Sequence, residues 1–113
     1  MYKIRAVYPA QPDYRFDQDY YVRGHLPLAQ RQLQGKVTVK AIDIEWDVKV
    51  LLGGEEITSP CAVSIYLETD QDLQDFQSWL QSPDAQPVVA DQANYTNCEC
   101  HWTIAKTDTF AGF

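Results

Sequence analysis

Basic residues are scarce. Nine lysines and arginines stand against sixteen aspartates and glutamates, a net charge of −7. A chain that gripped nucleic acid through its phosphates would show the opposite balance. An anionic membrane surface is disfavoured on the same ground. Long apolar runs are missing too: no segment reaches the roughly 18 consecutive apolar residues of a membrane span. Residues 1–9 read as a strand with charges inside it rather than as a signal peptide, so the expected location is the cytoplasm. Cysteines number three, an odd count without the spacing of a secreted disulfide framework. The Cys98-x-Cys100 pair is spaced too tightly for a structural zinc site. The only glycine pair, Gly53-Gly54, is not a phosphate-binding loop, so no nucleotide cofactor is expected. Histidine occurs twice, at His25 and His101, with no H-x-H or H-E-x-x-H spacing, and no metal is expected.

What remains is an ordinary soluble composition in 113 residues, which fits one domain over 1–113 with 107–113 as an uncommitted tail. Tyr2 to Tyr8 reads as a strand with Ile4, Ala6 and Tyr8 on one face. Asp17 suits a helix N-cap, and the helix is expected to break just after His25, because Pro27 biases Leu26 away from helical geometry. A second short helix runs to Leu33 and stops at Gly35. Lys36 to Trp46 reads as a strand whose apolar phase slips near Ala41, as at a bulge. Cys61 to Leu67 is a third strand. Thr69-x-x-Asp72 resembles a capping box opening a helix with the stripe Leu73, Phe76, Leu80 and with Trp79 beside it. Pro83 and Pro87 leave a short helix and a turn between Ser82 and Gln92. Thr96 to Lys106 is the fourth strand, with Cys98, Cys100, Trp102 and Ile104 on one face.

The order β-α-β-β-α-β is the ferredoxin-like α+β unit: a four-stranded antiparallel sheet with helices on one face. The other face is expected to carry aromatic and aliphatic residues with nothing in the chain to cover it. A homodimer with two sheets packed face to face is the expectation.

Chemistry-bearing side chains concentrate between Phe16 and Leu28. His25 is the natural acid–base group at neutral pH. Tyr21 lies one turn before it and Asp17 one turn before that, where a phenol or carboxylate can orient an imidazole. The plainer alternative is a histidine hydrogen-bonded to a carbonyl at a helix kink. Tyr20 joins this cluster. Asn94 and Tyr95 precede the last strand as a turn residue and an anchoring aromatic. His101 faces the same side as Glu99 and reads as a surface or interface residue.

Phe16-Asp17-x-Asp19-Tyr20-Tyr21-x-x-x-His25-x-Pro27-Leu28 resembles the signature of the EthD family, and Asp91-x-x-Asn94-Tyr95-Thr96 resembles its second motif. The opening strand ending in Tyr8-Pro9 matches as well, and the resemblance covers nearly the whole chain. Ala93 and Asn97 depart from it, standing where proline and an acidic residue are common. The resemblance implies a dimeric α+β barrel, an architecture shared with cofactor-independent monooxygenases, polyketide cyclases and muconolactone isomerases. It implies catalytic roles for His25, Tyr21 and Asp17, and ligand contacts from Tyr20, Asn94 and Tyr95. Two functions follow as expectations: a cofactor-independent enzyme acting on a small apolar or aromatic metabolite, or a non-catalytic binding protein that serves a partner oxidase.

Overall fold

The computed structural model describes all of residues 1–113. Four strands, β1 (Tyr2–Tyr8), β2 (Ala41–Val48), β3 (Ser59–Leu67) and β4 (His101–Lys106), form one antiparallel sheet in the order β2-β3-β1-β4. The helices are α1 (Gln18–Tyr20), α2 (Leu26–Leu33), α3 (Asp70–Leu80) and α4 (Gln86–Ala90). This is the expected ferredoxin-like α+β arrangement.

Register explains which face is apolar. Ile4 lies opposite Ile65 on one side and Ile104 on the other, and Ile65 in turn faces Ile42. Ala6 is likewise flanked by Val63 and Trp102. Side chains alternate along a strand, so these rows share one face. The helices pack on that face: Tyr21, Leu33, Phe76, Trp79 and Tyr95 join Ile4, Tyr8, Val63, Ile65 and Leu67 in a single core cluster. Trp79 also donates its indole N–H to the Gln32 carbonyl at 3.1 Å, which ties α3 to the end of α2.

The same alternation corrects one expectation. The face without helices carries Lys3, Arg5, Asp43, Glu45, Ser64 and Thr103, and its larger apolar chains are only Val7 and Tyr66. It is a polar face, crossed by the Arg5–Glu45 ion pair. The exposed Trp102 and Ile104 belong to the helix side of edge strand β4, where no helix reaches them.

Three local expectations change. The helix does not break after His25. It continues through one wide turn, Tyr21–His25, in which the Leu26 N–H bonds the Tyr21 carbonyl five residues back. Leu26 is helical (φ −62°, ψ −42°) although a proline follows it. The wide turn accommodates Pro27, which has no N–H to give and whose ring would crowd a carbonyl in a normal turn. Val37 and Val39 form no strand. The phase slip at Ala41 marks where β2 begins, and the half-buried Val37 and Val39 pack against the core from the preceding loop. Cys98 and Cys100 also lie outside a strand, because β1 pairs with β4 only from Val7↔His101 onward.

Other signals hold. Gly35 takes φ +78° just past α2, a conformation that costs glycine little. Thr69 and Asp72 form a complete capping box, with the Asp72 N–H donating to Thr69 Oγ1 at 3.0 Å. In α3, Phe76 and Trp79 are buried, Leu73 is half-buried and Leu80 is exposed. Replacing Thr69 by alanine removes one cap bond while leaving the core intact. It is expected to cost about 1 kcal/mol, read from the midpoint of urea denaturation.

Candidate functional site

The site forms where the wide turn of the first helix meets the segment before β4. Asp17 starts the helix. Its Oδ1 accepts from the Tyr20 N–H at 3.0 Å, and its own N–H donates to the Tyr95 carbonyl at 2.8 Å. Around that bond the two segments are stitched together. Thr96 Oγ1 donates to the Arg15 carbonyl (2.7 Å), the Arg15 N–H donates to Asn97 Oδ1 (2.8 Å), and Asn97 Nδ2 donates to the Asp13 carbonyl (3.2 Å). Asn97, which departs from the EthD pattern, is thus one of the stitches. The stitching sets Tyr95 against the helix face that carries His25, with ring centroids 4.5 Å apart.

His25 is 7% exposed and stacks on Tyr21, centroids 5.1 Å apart and 23° from parallel. Its Nδ1 lies 3.0 Å from Asp91 Oδ2. Asp91 is itself buried, and a buried carboxylate is costly unless hydrogen-bonded. Three partners meet that need: His25, the Tyr20 O–H at 2.7 Å and Asn94 Nδ2 at 2.9 Å. No buried side-chain polar atom in the molecule lacks a partner. On its other side, His25 Nε2 faces the Tyr95 hydroxyl at 3.5 Å, and the Tyr95 and Tyr8 hydroxyls are 2.7 Å apart. An ionised Asp91 only accepts hydrogen bonds, so the proton of neutral His25 sits on Nδ1 and Nε2 is the free base.

Electrostatics agrees with that assignment. Burial pulls the His25 pKa below its ordinary 6.5, and Asp91 opposes but does not cancel the effect. Burial works to raise Asp91, yet bonds from Tyr20, Asn94 and His25 outweigh it and hold the carboxyl below its usual 3.8. The pair is therefore a neutral imidazole beside a carboxylate at neutral pH. Burial raises Tyr8, Tyr21 and Tyr95, so all three remain protonated phenols. Burial likewise pushes the Cys61 thiol up to about 12 and Cys100 up to about 11, which leaves neither as a nucleophile at neutral pH.

His25, Tyr8, Tyr21 and Tyr95 line a cavity of about 130 Å³ between helices and sheet. Ala6, Val63, Ile65, Phe76 and Trp102 supply apolar walls, and Gln92 adds one amide. A larger open groove of about 650 Å³ lies beside α2, but no titratable side chain lines it. No three His, Cys, Asp or Glu side chains gather as a metal-binding group.

Of the residues singled out from sequence, His25, Tyr20, Tyr21, Asn94 and Tyr95 come together. Asp17 does not join them as an acid–base group: its carboxylate caps the helix and bonds the Tyr20 N–H. Asp91 and Tyr8 were not assigned roles in advance. Asp91 opens the motif that ends in Asn94-Tyr95, and its spacing of three from Asn94 on one turn (Asp91–Asn94) was the available signal. Tyr8 stood at the end of an ordinary-looking strand.

No protein-family model matches the sequence, and no curated protein does. Solved structures match in shape. An EthD-like protein from Ralstonia eutropha JMP134 superposes with a TM-score of 0.76 at 20% identity, over 93% of this chain and 89% of that one. The chain has the fold of the EthD-family proteins. A second EthD-family protein, from Bacillus halodurans C-125, gives a TM-score of 0.65 at 17% identity, over 96% of this chain and 99% of that one. An antibiotic biosynthesis monooxygenase gives 0.50 at 12% identity, over 96% and 100%. The EthD-like shape recognised from the two motifs is thus borne out at the level of fold.

Two outcomes are expected. A Cβ on Gly24 would lie 2.9 Å from Tyr20 Cε2 and 3.0 Å from Cζ. Gly24→Ala therefore displaces the Tyr20 ring and breaks its bond to Asp91, while the fold survives because only a side-chain end must move. The loss of the Tyr20 signal coupling to Asp91, read by NMR, checks this. The second concerns acid. Folded His25 binds its proton less tightly than the unfolded chain does, so the unfolded state takes up the proton first as pH falls through 6.5. Stability is expected to fall from pH 6.5 down to the lower pKa of folded His25, by at most about 1.4 kcal/mol per pH unit. The His25→Asn variant, followed by urea denaturation, is expected to flatten that part of the curve.

Proposed function

We propose that the chain is an EthD-like enzyme that moves a proton on a small apolar or aromatic molecule, with His25 as the acid–base group and no cofactor. One observation carries the reading. A neutral imidazole, held by Asp91 through Nδ1, lines an apolar cavity, and its Nε2 makes only a long 3.5 Å contact with the Tyr95 hydroxyl. With its pKa lowered by burial, this base is unprotonated at pH 7 and can accept a proton.

In the proposed step, a ligand lies against Nε2, where the Tyr95 hydroxyl makes only a long contact of 3.5 Å. Nε2 takes a proton from an acidic C–H or O–H of that ligand. The bonding electrons stay on the ligand as an enolate or phenolate, and Asp91 stabilises the imidazolium that forms. The protonated Nε2 then returns its proton either to another carbon of the ligand, which completes an isomerisation, or to a β-hydroxyl, whose C–O bond breaks as the enolate collapses and water leaves, which completes a dehydration. Tyr95 and Tyr8, both protonated, are the donors placed to bond the developing oxyanion. Oxygenation is the other chemistry such a base serves: with dioxygen as co-substrate, the deprotonated activated CH2 of a ring is oxidised to a carbonyl that keeps one oxygen atom, and the other leaves as water.

Size limits the ligand. A dry apolar cavity of roughly 150 Å³ accepts benzene, and the cavity here is about 130 Å³. The ligand is therefore of the order of one six-membered ring or smaller. The apolar lining also suits a protein that binds such a molecule without changing it, serving a partner oxidase.

Turnover separates the two. With a substrate identified among small phenols and enolisable ketones, His25→Asn keeps a bond to Asp91 but has no base. It is expected to lower kcat by 100-fold or more, on the order of the effect of a general base, with ligand affinity changed little. Unchanged turnover in this variant would remove His25 from the mechanism. Recovery of every bound ligand unaltered from the native protein would favour the binding role.

A further inference from the structure

The three partners of Asp91 divide unevenly between its two carboxylate oxygens. The Tyr20 O–H (2.7 Å) and Asn94 Nδ2 (2.9 Å) both donate to Oδ1, whereas Oδ2 meets only His25 Nδ1, at 3.0 Å. Of the two donors on Oδ1, Tyr20 is half-buried and makes the shorter bond, while Asn94 is exposed. Water can take the place of an exposed amide, so Tyr20 is the donor on which Oδ1 depends.

The Tyr20 ring is held where this bond needs it. Glycine is unfavourable inside a helix, yet Gly24 stands there, and a Cβ in its place would lie 2.9 Å from Tyr20 Cε2. The ring also stacks on Tyr95, with centroids 6.5 Å apart and planes 21° from parallel. Tyr20 lines neither the cavity nor the groove beside α2, so its hydroxyl serves Asp91 and not the ligand space.

Asp91 is the one charged group that acts on His25. The other titratable groups packed on the imidazole are the phenols of Tyr21 and Tyr95, with Tyr8 behind them, and all three are neutral. A hydroxyl that donates to a carboxylate offsets part of its negative charge and favours its ionised form. Less charge then remains on Oδ2 to hold an imidazolium. We propose that Tyr20 is a positioning residue: by donating to Oδ1 it limits how firmly Asp91 holds a proton on His25. This deepens the reading of His25 as the acid–base group and rests on it, since such a group must give its proton back as readily as it takes it.

Titration of the two imidazoles by NMR on the full chain tests this without a substrate. His25 is buried against Asp91, and the exposed His101, which meets only Glu99, is the internal reference. Tyr20→Phe keeps the ring and removes the hydroxyl. It is expected to raise the His25 pKa by on the order of half a unit, about threefold tighter proton binding, and to leave His101 unmoved. Asn94→Ala is expected to shift His25 the same way by less. Gly24→Ala, which displaces the Tyr20 ring, is expected to act like Tyr20→Phe and to add nothing in the Tyr20→Phe background. An unchanged or lowered His25 pKa in Tyr20→Phe overturns the proposal, and so does a Gly24→Ala shift that persists in full in that background. If Tyr20→Phe does not fold, Gly24→Ala alone decides, and no shift there overturns the proposal. Because the readout needs no turnover, a His25 that proves non-catalytic leaves the coupling standing, and an uncoupled Tyr20 leaves the base standing.

Discussion

The buried carboxylate of Asp91 is the constraint on which the site depends. Removing an ionised carboxylate from water is tolerable only if its oxygens are filled with hydrogen bonds. Here Tyr20, Asn94 and His25 fill them. Each partner comes from a piece of structure that must therefore be placed correctly. Tyr20 ends α1, His25 closes the wide turn, and Asn94 ends the turn Asp91–Asn94. The same bonds that make Asp91 affordable fix the tautomer of His25. A single electrostatic requirement thus links helix geometry to proton chemistry.

The wide turn is the backbone's part in this. Shifting the ladder to a five-residue bond at Leu26 lets Pro27 continue the helix. It also sets where the Tyr21 and His25 rings fall, stacked 5.1 Å apart and facing Tyr95. Gly24 serves the same geometry, since the Tyr20 ring lies where a Cβ would be. Helix, proline and glycine together present one imidazole to one small cavity, which the aromatic rings of Tyr8, Tyr21 and Tyr95 also line.

Legibility followed locality. Strand alternation in Tyr2–Tyr8 and Cys61–Leu67, the Thr69 capping box, the Asp17 cap and the Gly35 stop are short-range effects, and all were readable before the fold. The break expected after His25 was wrong because the rule for residues before proline assumes a normal helical turn, and the wide turn escapes it. The strand expected over 36–40 was wrong because Val37 and Val39 satisfy their burial by packing from a loop. The uncovered face read as apolar turned out mostly polar, since all the large apolar strand side chains but Val7 and Tyr66 fall in one phase and the helices take that phase.

By itself the sequence determined the order of elements and the antiparallel α+β class, since these rest on spacing, caps and alternation within a few residues; His25 stood out by residue type, and Asn94 and Tyr95 only by their resemblance to the second EthD motif. Only the tertiary structure decided that Asp91, 66 residues from His25, is its partner. It likewise decided that Tyr8 ends a hydroxyl pair leading to the imidazole. These contacts join segments distant along the chain, and no local propensity encodes which oxygen meets which nitrogen. That pairing is set when the sheet register and the stitched loops bring β1, the first helix and the turn Asp91–Asn94 to one place.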